Sequence, residues 1–568
     1  MPITNFRAAA VLTLVAVTLG YLLRTRAPVI LAILESALVV VIYRLTWHPL
    51  AGYPGPWLAA ATDWYSVYYC LRGDRHLDFY RLHEQYGPAV RFGPNRVSFR
   101  SARALTEIYG SRANTQKSAV YRAFSHFFTV PASLTTIDRK SHVLKRRLTS
   151  RALSGRAVQD LEELILQSVR LLCRTLTQTQ ETRGDPDPDS PNSAWGPPHD
   201  LTTTLRCLLS DVMGDVTFSR HWSLQTSPRN RPILSLMAQG TRGINVAGHM
   251  PMLLRTRLER WCAPALHRGV RRFYALSAAQ AEWRAALLDA RDPETGAGYS
   301  ARDLVAEAGI LIIAGTDTTA TALTATLFYL LHDSCEAYRR AQAEVRAAFA
   351  DLEAIRIGPA LAGCTFLYAC VDEALRLSPP VGSVLPREVL PGGLTVSVDV
   401  NDDEGGGGGG GEGEKRYFVP AGTDVGVPVY ALHHDARYWR DPHAFRPERW
   451  LTVAEDKKKD GSSGFTAYAP FGAGGTSCVG RYLAYQEIGI ILARLLWLLD
   501  IRLAPGLNDR REQKDTTAAA TATAAGPDSR TWGRHRAGEF QTRDVFTSAH
   551  EGPWVQFRPR DAAADTMA

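Results

Sequence analysis

The sequence predicts a mainly helical α+β fold with small β-sheets, set behind an N-terminal membrane anchor. Residues 8–23 are uncharged and strongly apolar. Most of the chain beyond residue 48 carries apolar residues at helical spacing. Strand-like alternation is confined to short pieces near residues 90–92, 97–99, 394–400 and 554–557.

The anchor comes first. Arg7 precedes the apolar run and Arg24 and Arg26 follow it; a second apolar run, residues 29–43, is interrupted by Glu35 and ends at Arg44. Each run is shorter than the roughly 20 apolar residues that a spanning helix needs. No small-x-small cleavage site precedes Arg24, which favours an uncleaved anchor over a signal peptide. The proline- and glycine-rich stretch His48-Pro49-Leu50-Ala51-Gly52-Tyr53-Pro54-Gly55-Pro56 cannot continue a helix and reads as a stiff spacer.

Residues 1–47 therefore read as the anchor and residues 48–560 as one large catalytic domain. Its expected loop insertions lie at 178–199, rich in Pro, Asp and Ser, at 402–415, with an unbroken glycine run, and at 506–550, with a Thr/Ala tract. None of these carries evident chemistry. The chain has 568 residues, 45% of them hydrophobic, and a net charge of +8. Basic residues are interleaved with acids, which argues against nucleic-acid binding and suits a face that docks an acidic protein or anionic lipid. The 8 cysteines lack CxxC pairs or regular spacing, so neither a disulfide framework nor a structural zinc site is expected.

The sharpest chemical signal is Phe471-Gly472-Ala473-Gly474-Gly475-Thr476-Ser477-Cys478-Val479-Gly480, followed by an apolar helical run. Its glycines let the backbone turn tightly and approach a flat ligand. Cys478 falls at the start of a helix, where free N–H groups and the dipole favour a thiolate. Taken alone, the loop also fits a buried cysteine in a glycine-rich turn.

A long apolar helix is expected after the capping box at Ser300 and Asp303. It contains Ala314-Gly315-Thr316-Asp317-Thr318-Thr319, with Ala314 and Thr318 on one face. Gly315 leaves room beside the backbone, and a threonine hydroxyl can bond back into the preceding turn. The same residues also suit close helix packing. Glu373 and Arg376 pair on another helix face, Arg449 sits in a proline-bounded loop, and Arg387 follows Pro386. His142 and Arg146 are one helical turn apart. In isolation these read as solvated charges.

Together and in this order, the motifs resemble the cytochrome P450 superfamily. The cysteine loop matches the pattern FxxGxRxCxG at Phe471, Gly474, Cys478 and Gly480, and departs from it at Thr476, where the family has arginine. Residues 314–318 resemble the oxygen-activation motif (A/G)Gx(D/E)T; Glu373, Arg376 and Arg449 resemble the ExxR and PER elements; His142 to Arg146 resembles WxxxR with histidine for tryptophan. "HPLAGYPGP" and "CVGRYLAYQE" are similar to filamentous-fungal microsomal members.

The resemblance implies heme b with its iron on the Cys478 thiolate, a ligand that promotes O–O cleavage. It implies proton delivery by Thr318 and Asp317, and a structural triad of Glu373, Arg376 and Arg449. His142, Arg146 and Arg387 would reach haem propionates and offset the arginine missing at 476. It further implies O2 and an apolar small-molecule substrate, often in secondary metabolism. Electrons would come from NADPH through a flavin-containing cytochrome P450 reductase, docked on Lys140, Lys145 and Arg147. The expected location is the endoplasmic reticulum membrane, with the catalytic domain facing the cytoplasm. A haem-thiolate isomerase or dehydratase, and a non-catalytic membrane-anchored haem binder, are the alternatives. Substrate contacts are expected within 111–131, 237–254, 309–314 and 381–384, which show no evident charged clamp.

Overall fold

The computed structural model describes the chain apart from residues 1–30, 33, 126–129, 182–194, 219–220, most of 251–297, 333–334, 401–412, 452–463, 509–533, 535, 537 and 561–568. The first apolar run, 8–23, lies outside the described residues. Of the second, residues 34–46 are helical and expose Leu34, Leu38, Val39, Ile42 and Tyr43.

The helices that position the site are α1 (Arg75–Tyr86), α2 (Arg139–Ala152), α3 (Leu201–Phe218), α4 (Pro232–His249), α5 (Ala301–His332), α6 (Thr365–Leu377) and α7 (Arg481–Leu498). The expected capping box starts α5. Ser300 N donates to Asp303 Oδ2 at 3.2 Å, and Asp303 N donates back to Ser300 Oγ at 3.2 Å. Helix α5 is long and apolar enough to cross a membrane, yet 72% of its apolar window is buried, so it is a core helix. Its many threonines tolerate burial because their hydroxyls bond to carbonyls one turn back. Thr321 reaches Asp317 O at 2.8 Å and Thr324 reaches Ala320 O at 2.7 Å. Leu323, Leu327 and Leu330 of α5 share one core with α3, α6 and α7.

The strands are short, as expected. β1 (Ala89–Gly93), β2 (Arg96–Phe99), β3 (Thr115–Lys117), β5 (Arg387–Val389) and β8 (Asp424–Gly426) form a sheet in the order β1-β2-β8-β5-β3. β6 (Leu394–Val400) pairs with β7 (Gly413–Val419). β4 (His199–Asp200), β12 (Trp554–Pro559) and β9 (Leu499–Leu503) make a three-stranded sheet, and β10 (Arg543–Val545) pairs with β11 (Thr547–Ala549). Each strand-like piece read from the sequence lies in one of these strands. The supposed insertions contribute ordered structure where they are described: residues 413–415 belong to β7, and the β10–β11 hairpin lies within 506–550. Phe546 and Thr547 of that hairpin line the central cavity.

Sheet register sets up the site's electrostatics. Lys117 of β3 stands directly opposite Arg387 of β5. Like charges directly opposed across strands are unfavourable unless an anion lies between or beside them.

Candidate active site

One deep, mainly apolar cavity lies between α5, α7, the cysteine loop and the β10–β11 hairpin, with 2300 Å³ of atom-free space including its open mouth. Cys478, Phe471, Gly480, Thr318, His142, Arg146 and Arg387 all line it. The structure thus brings together residues that are far apart in sequence.

Cys478 precedes α7 by three positions, and its N–H donates to Phe471 O at 2.7 Å. Cys478 is exposed and lines the cavity. Burial pushes its pKa up, while the Gly480 N–H, Arg146 and Arg481 pull it back down. Gly474 does not line the cavity. At φ +63° a side chain there would be strained, and a Cβ would lie 2.0 Å from Tyr109 O. Its role is to seat the loop on the helix ending at Tyr109. Phe471 packs near Tyr485, with ring centroids 5.3 Å apart.

Thr318 faces the cavity from α5, its hydroxyl donating to Ala314 O at 2.5 Å. Asp317 points away from it. Arg206 Nη2 of α3 holds its carboxylate at 2.9 Å. Burial raises the Asp317 pKa and Arg206 opposes that rise. Gly315 lines the cavity; an added Cβ would lie 2.4 Å from Met213 Sδ, so the glycine also lets α3 pack against α5.

The charged end of the cavity departs most from expectation. Arg387 Nη2 donates to Thr476 Oγ1 at 2.8 Å, so the residue that replaces the family arginine orients another one. Arg146 donates to Ser477 O at 2.6 Å. Lys117, which no motif singles out, is 5% exposed and lines the same cavity. Its Nζ donates to Ser133 O at 2.8 Å and Leu134 O at 2.7 Å. Burial, Arg387 and Arg146 push its pKa down to about 6. Burial first, then Lys117, Arg146 and Arg387, hold His142 at about 4. A charged clamp is therefore present, inside the segment 111–131 that reads as small and apolar. Tyr121 and Phe124 from that segment line the cavity too, as do Phe546 and Thr547 from the hairpin.

This cavity fits a haem. A mainly apolar cavity with an exposed cysteine in its lining and clustered cations suits an iron macrocycle with two carboxylates. Behind the cysteine loop, Glu373 accepts from Arg376 Nη2 at 2.8 Å, Arg449 Nε at 3.1 Å and Trp450 Nε1 at 2.9 Å. Arg376 also donates to His433 O at 2.8 Å and Pro442 O at 2.7 Å. The expected triad is assembled, and Trp450 joins it. On the surface of α2, Lys140 and Arg147 are exposed, but Lys145 is tied to Asp303 at 2.7 Å and is not available for docking.

The family model for cytochrome P450 matches residues 54–525. The cytochrome P450 monooxygenase AKT7 of Alternaria alternata is 34% identical over 534 residues, 91% of this chain and 94% of the relative. The cytochrome P450 monooxygenase apf7 of Gibberella fujikuroi is 33% identical over 553 residues, covering 94% and 98% of the two chains. The cytochrome P450 monooxygenase atnE of Emericella nidulans is 35% identical over 537 residues, covering 91% and 93%. With the cysteine-floored cavity and its surrounding motifs, these matches make the chain a member of the cytochrome P450 family of haem-thiolate monooxygenases.

Proposed function

We propose that this P450 inserts one oxygen atom from O2 into an apolar small molecule, with Cys478 as the haem's thiolate ligand. The observation that carries the reading is the placement of Cys478 and Thr318 on one mainly apolar cavity that also has cations beside the cysteine loop. When bound, the haem supplies redox chemistry that no side chain can. The chain's own residues then have distinct tasks. Arg146, Arg387, His142 and Lys117 would hold the propionates. The Thr318 hydroxyl, already back-bonded to Ala314 O, holds a proton at the cavity wall. Asp317, released from Arg206, passes protons toward it. The Glu373–Arg376–Arg449 network fixes the shape of the floor. Ile310, Ile313, Val381 and Phe546 exclude water and orient an apolar substrate.

The names of the fungal relatives support a role in secondary metabolism. Electrons come from NADPH through a flavin-containing reductase that meets the exposed Lys140 and Arg147. The helix at 34–46 exposes apolar side chains, and Trp47, Trp57 and Trp64 beside it are 75%, 69% and 58% exposed. Exposed aromatics beside an apolar helix suit a membrane interface. This supports membrane anchoring; the endoplasmic reticulum, with the cavity on the cytoplasmic side, is the location that the family resemblance implies.

The test is the visible spectrum of dithionite-reduced protein under carbon monoxide. A strongly red-shifted Soret band that disappears in Cys478→Ser establishes thiolate ligation at this residue. A band typical of histidine-ligated haem, or no haem in folded protein, overturns it.

A further inference from the structure

A second, much smaller void, with room for about a single water, lies beside the main cavity. Its lining is mostly apolar, but a group of buried polar side chains meets in it. Arg75, Asn245, Ser383 and Asp544 are each no more than 5% exposed and meet around it. Asn245 Nδ2, Ser383 Oγ and Asp544 Oδ2 have no hydrogen-bond partner among the described residues. Arg75 makes no ion pair among them either, and its guanidinium lies over the Phe79 and Phe92 rings at 5.0 and 5.9 Å. A buried polar atom without a partner is destabilising, so a cluster of them around one void points to a ligand.

The void adjoins the haem cavity. Phe124 and Phe546 line both, their rings 4.8 Å apart. Phe546 holds φ +86°, a strained backbone for an aromatic residue, and its N–H donates to Asp544 Oδ1 at 3.0 Å. The carboxylate that pins this strained partition therefore turns its other, unpartnered oxygen to the void.

We propose that this polar annex binds a hydroxyl group carried by the substrate, which enters past Phe546 while the apolar body stays over the haem. The chemistry selects a hydroxyl. Asp544 Oδ2 requires a donor, whereas Arg75 and Asn245 Nδ2 require an acceptor, and a hydroxyl is both at once. A carboxylate would face Asp544 with like charge, and a bare carbonyl would leave it unsatisfied. The physiological substrate is then already hydroxylated, so an oxygenation, a carbonyl reduction or a hydrolysis must precede this step. The inference rests on the larger cavity being the haem and substrate chamber.

The experiment uses the full-length haem-loaded protein and matched pairs, octane with 1-octanol up to tetradecane with 1-tetradecanol. Binding is read by the optical high-spin shift and, independently of the iron, by equilibrium dialysis. The expected result is an alcohol that binds roughly tenfold or more tighter than its alkane, the worth of one charge-assisted hydrogen bond. Asp544→Asn keeps an acceptor for the Phe546 N–H but replaces Oδ2 by a donor, and should abolish that preference while leaving alkane binding and the carbon monoxide spectrum unchanged. Ser383→Ala, a milder change, should reduce it. If no alcohol outbinds its alkane, or the preference survives Asp544→Asn, the annex holds only a structural water and the proposal falls. An alcohol that red-shifts the Soret band has its oxygen at the iron and counts against it equally. Loss of the red-shifted carbon monoxide band in the wild type would overturn the haem reading, while dialysis still decides the annex.

Discussion

Replacing Lys117 by methionine tests how this chain manages without an arginine at position 476. Lys117 is 5% exposed, faces Arg387 across the β3–β5 ladder and has its pKa reduced from 10.5 to about 6. That shift corresponds to roughly 6 kcal/mol disfavouring the charged form when no anion is present, at about 1.36 kcal/mol per unit. Above pH 6 the haem-free protein therefore carries Lys117 mostly neutral, and a propionate placed beside it restores the charge. Haem binding should take up a proton, and affinity should fall by up to about tenfold per pH unit above 6. Lys117→Met should eliminate that proton uptake. It should also speed haem loss roughly 10- to 100-fold, since a hydrogen bond to a charged group contributes about 1.5–3 kcal/mol. The assay is haem transfer to an apomyoglobin scavenger, with a pH indicator following reconstitution. Thr476→Arg alone should leave haem loss unchanged, yet should rescue Lys117→Met. An unchanged loss rate in Lys117→Met, or proton uptake that persists, would refute the reasoning.

Other outcomes follow from the same geometry. Glu307 is fully buried, accepts from Ser133 Oγ at 2.8 Å, and burial raises its pKa from 4.5 to about 7. Between those values the folded protein binds more protons than the unfolded chain, so this group's contribution is present at acid pH and lost as pH rises through 7. Glu307→Gln should thus raise the unfolding free energy from urea titration at pH 8, by up to about 3 kcal/mol, and much less at pH 5; equal differences at both would count against it. Glu373→Gln removes the counter-charge of the fully buried Arg376 and should cost about 3–5 kcal/mol, seen as loss of folded, haem-bearing protein on expression. Arg206→Ala leaves Asp317 buried without its cation; its pKa should rise further, and the pH profile of turnover should shift upward. An unmoved profile would show that Asp317 plays no part in proton delivery.

Much of the frame was legible because it rests on local chemistry. The Ser300–Asp303 cap, the buried face of α5 and the strands near 90–99 and 394–400 follow from neighbouring residues and their spacing. The Glu373–Arg376 pair was equally visible, being one turn of one helix. What escaped depends on register between distant strands. Nothing around Asn114-Thr115-Gln116-Lys117 marks a lysine for burial; only the pairing of β3 with β5 carries it to Arg387. Arg206 was hidden for a similar reason, since its partner Asp317 lies on another helix. The β10–β11 hairpin was masked by the low-complexity sequence before it, whose composition coloured the reading of the whole segment. Gly315 lines the cavity, but its packing against Met213 was hidden, because that residue comes from α3.

Moving a propionate cation from the cysteine loop to β3 changes what the cofactor is coupled to. An arginine at 476 would be tied only to the loop that carries Cys478. Lys117 also binds Ser133 O and Leu134 O, and both residues line the cavity; Glu307 grips Ser133 from the α5 side. If Lys117 carries a propionate, the substrate wall at Ser133–Leu134 and the acid end of the haem share one clamp. A ligand that presses on Leu134 must then strain the Lys117 contact, and one that packs well against it must strengthen it. Haem retention in this chain should depend on which molecule fills the cavity, and that dependence should vanish in Lys117→Met even after Thr476→Arg has restored the affinity itself.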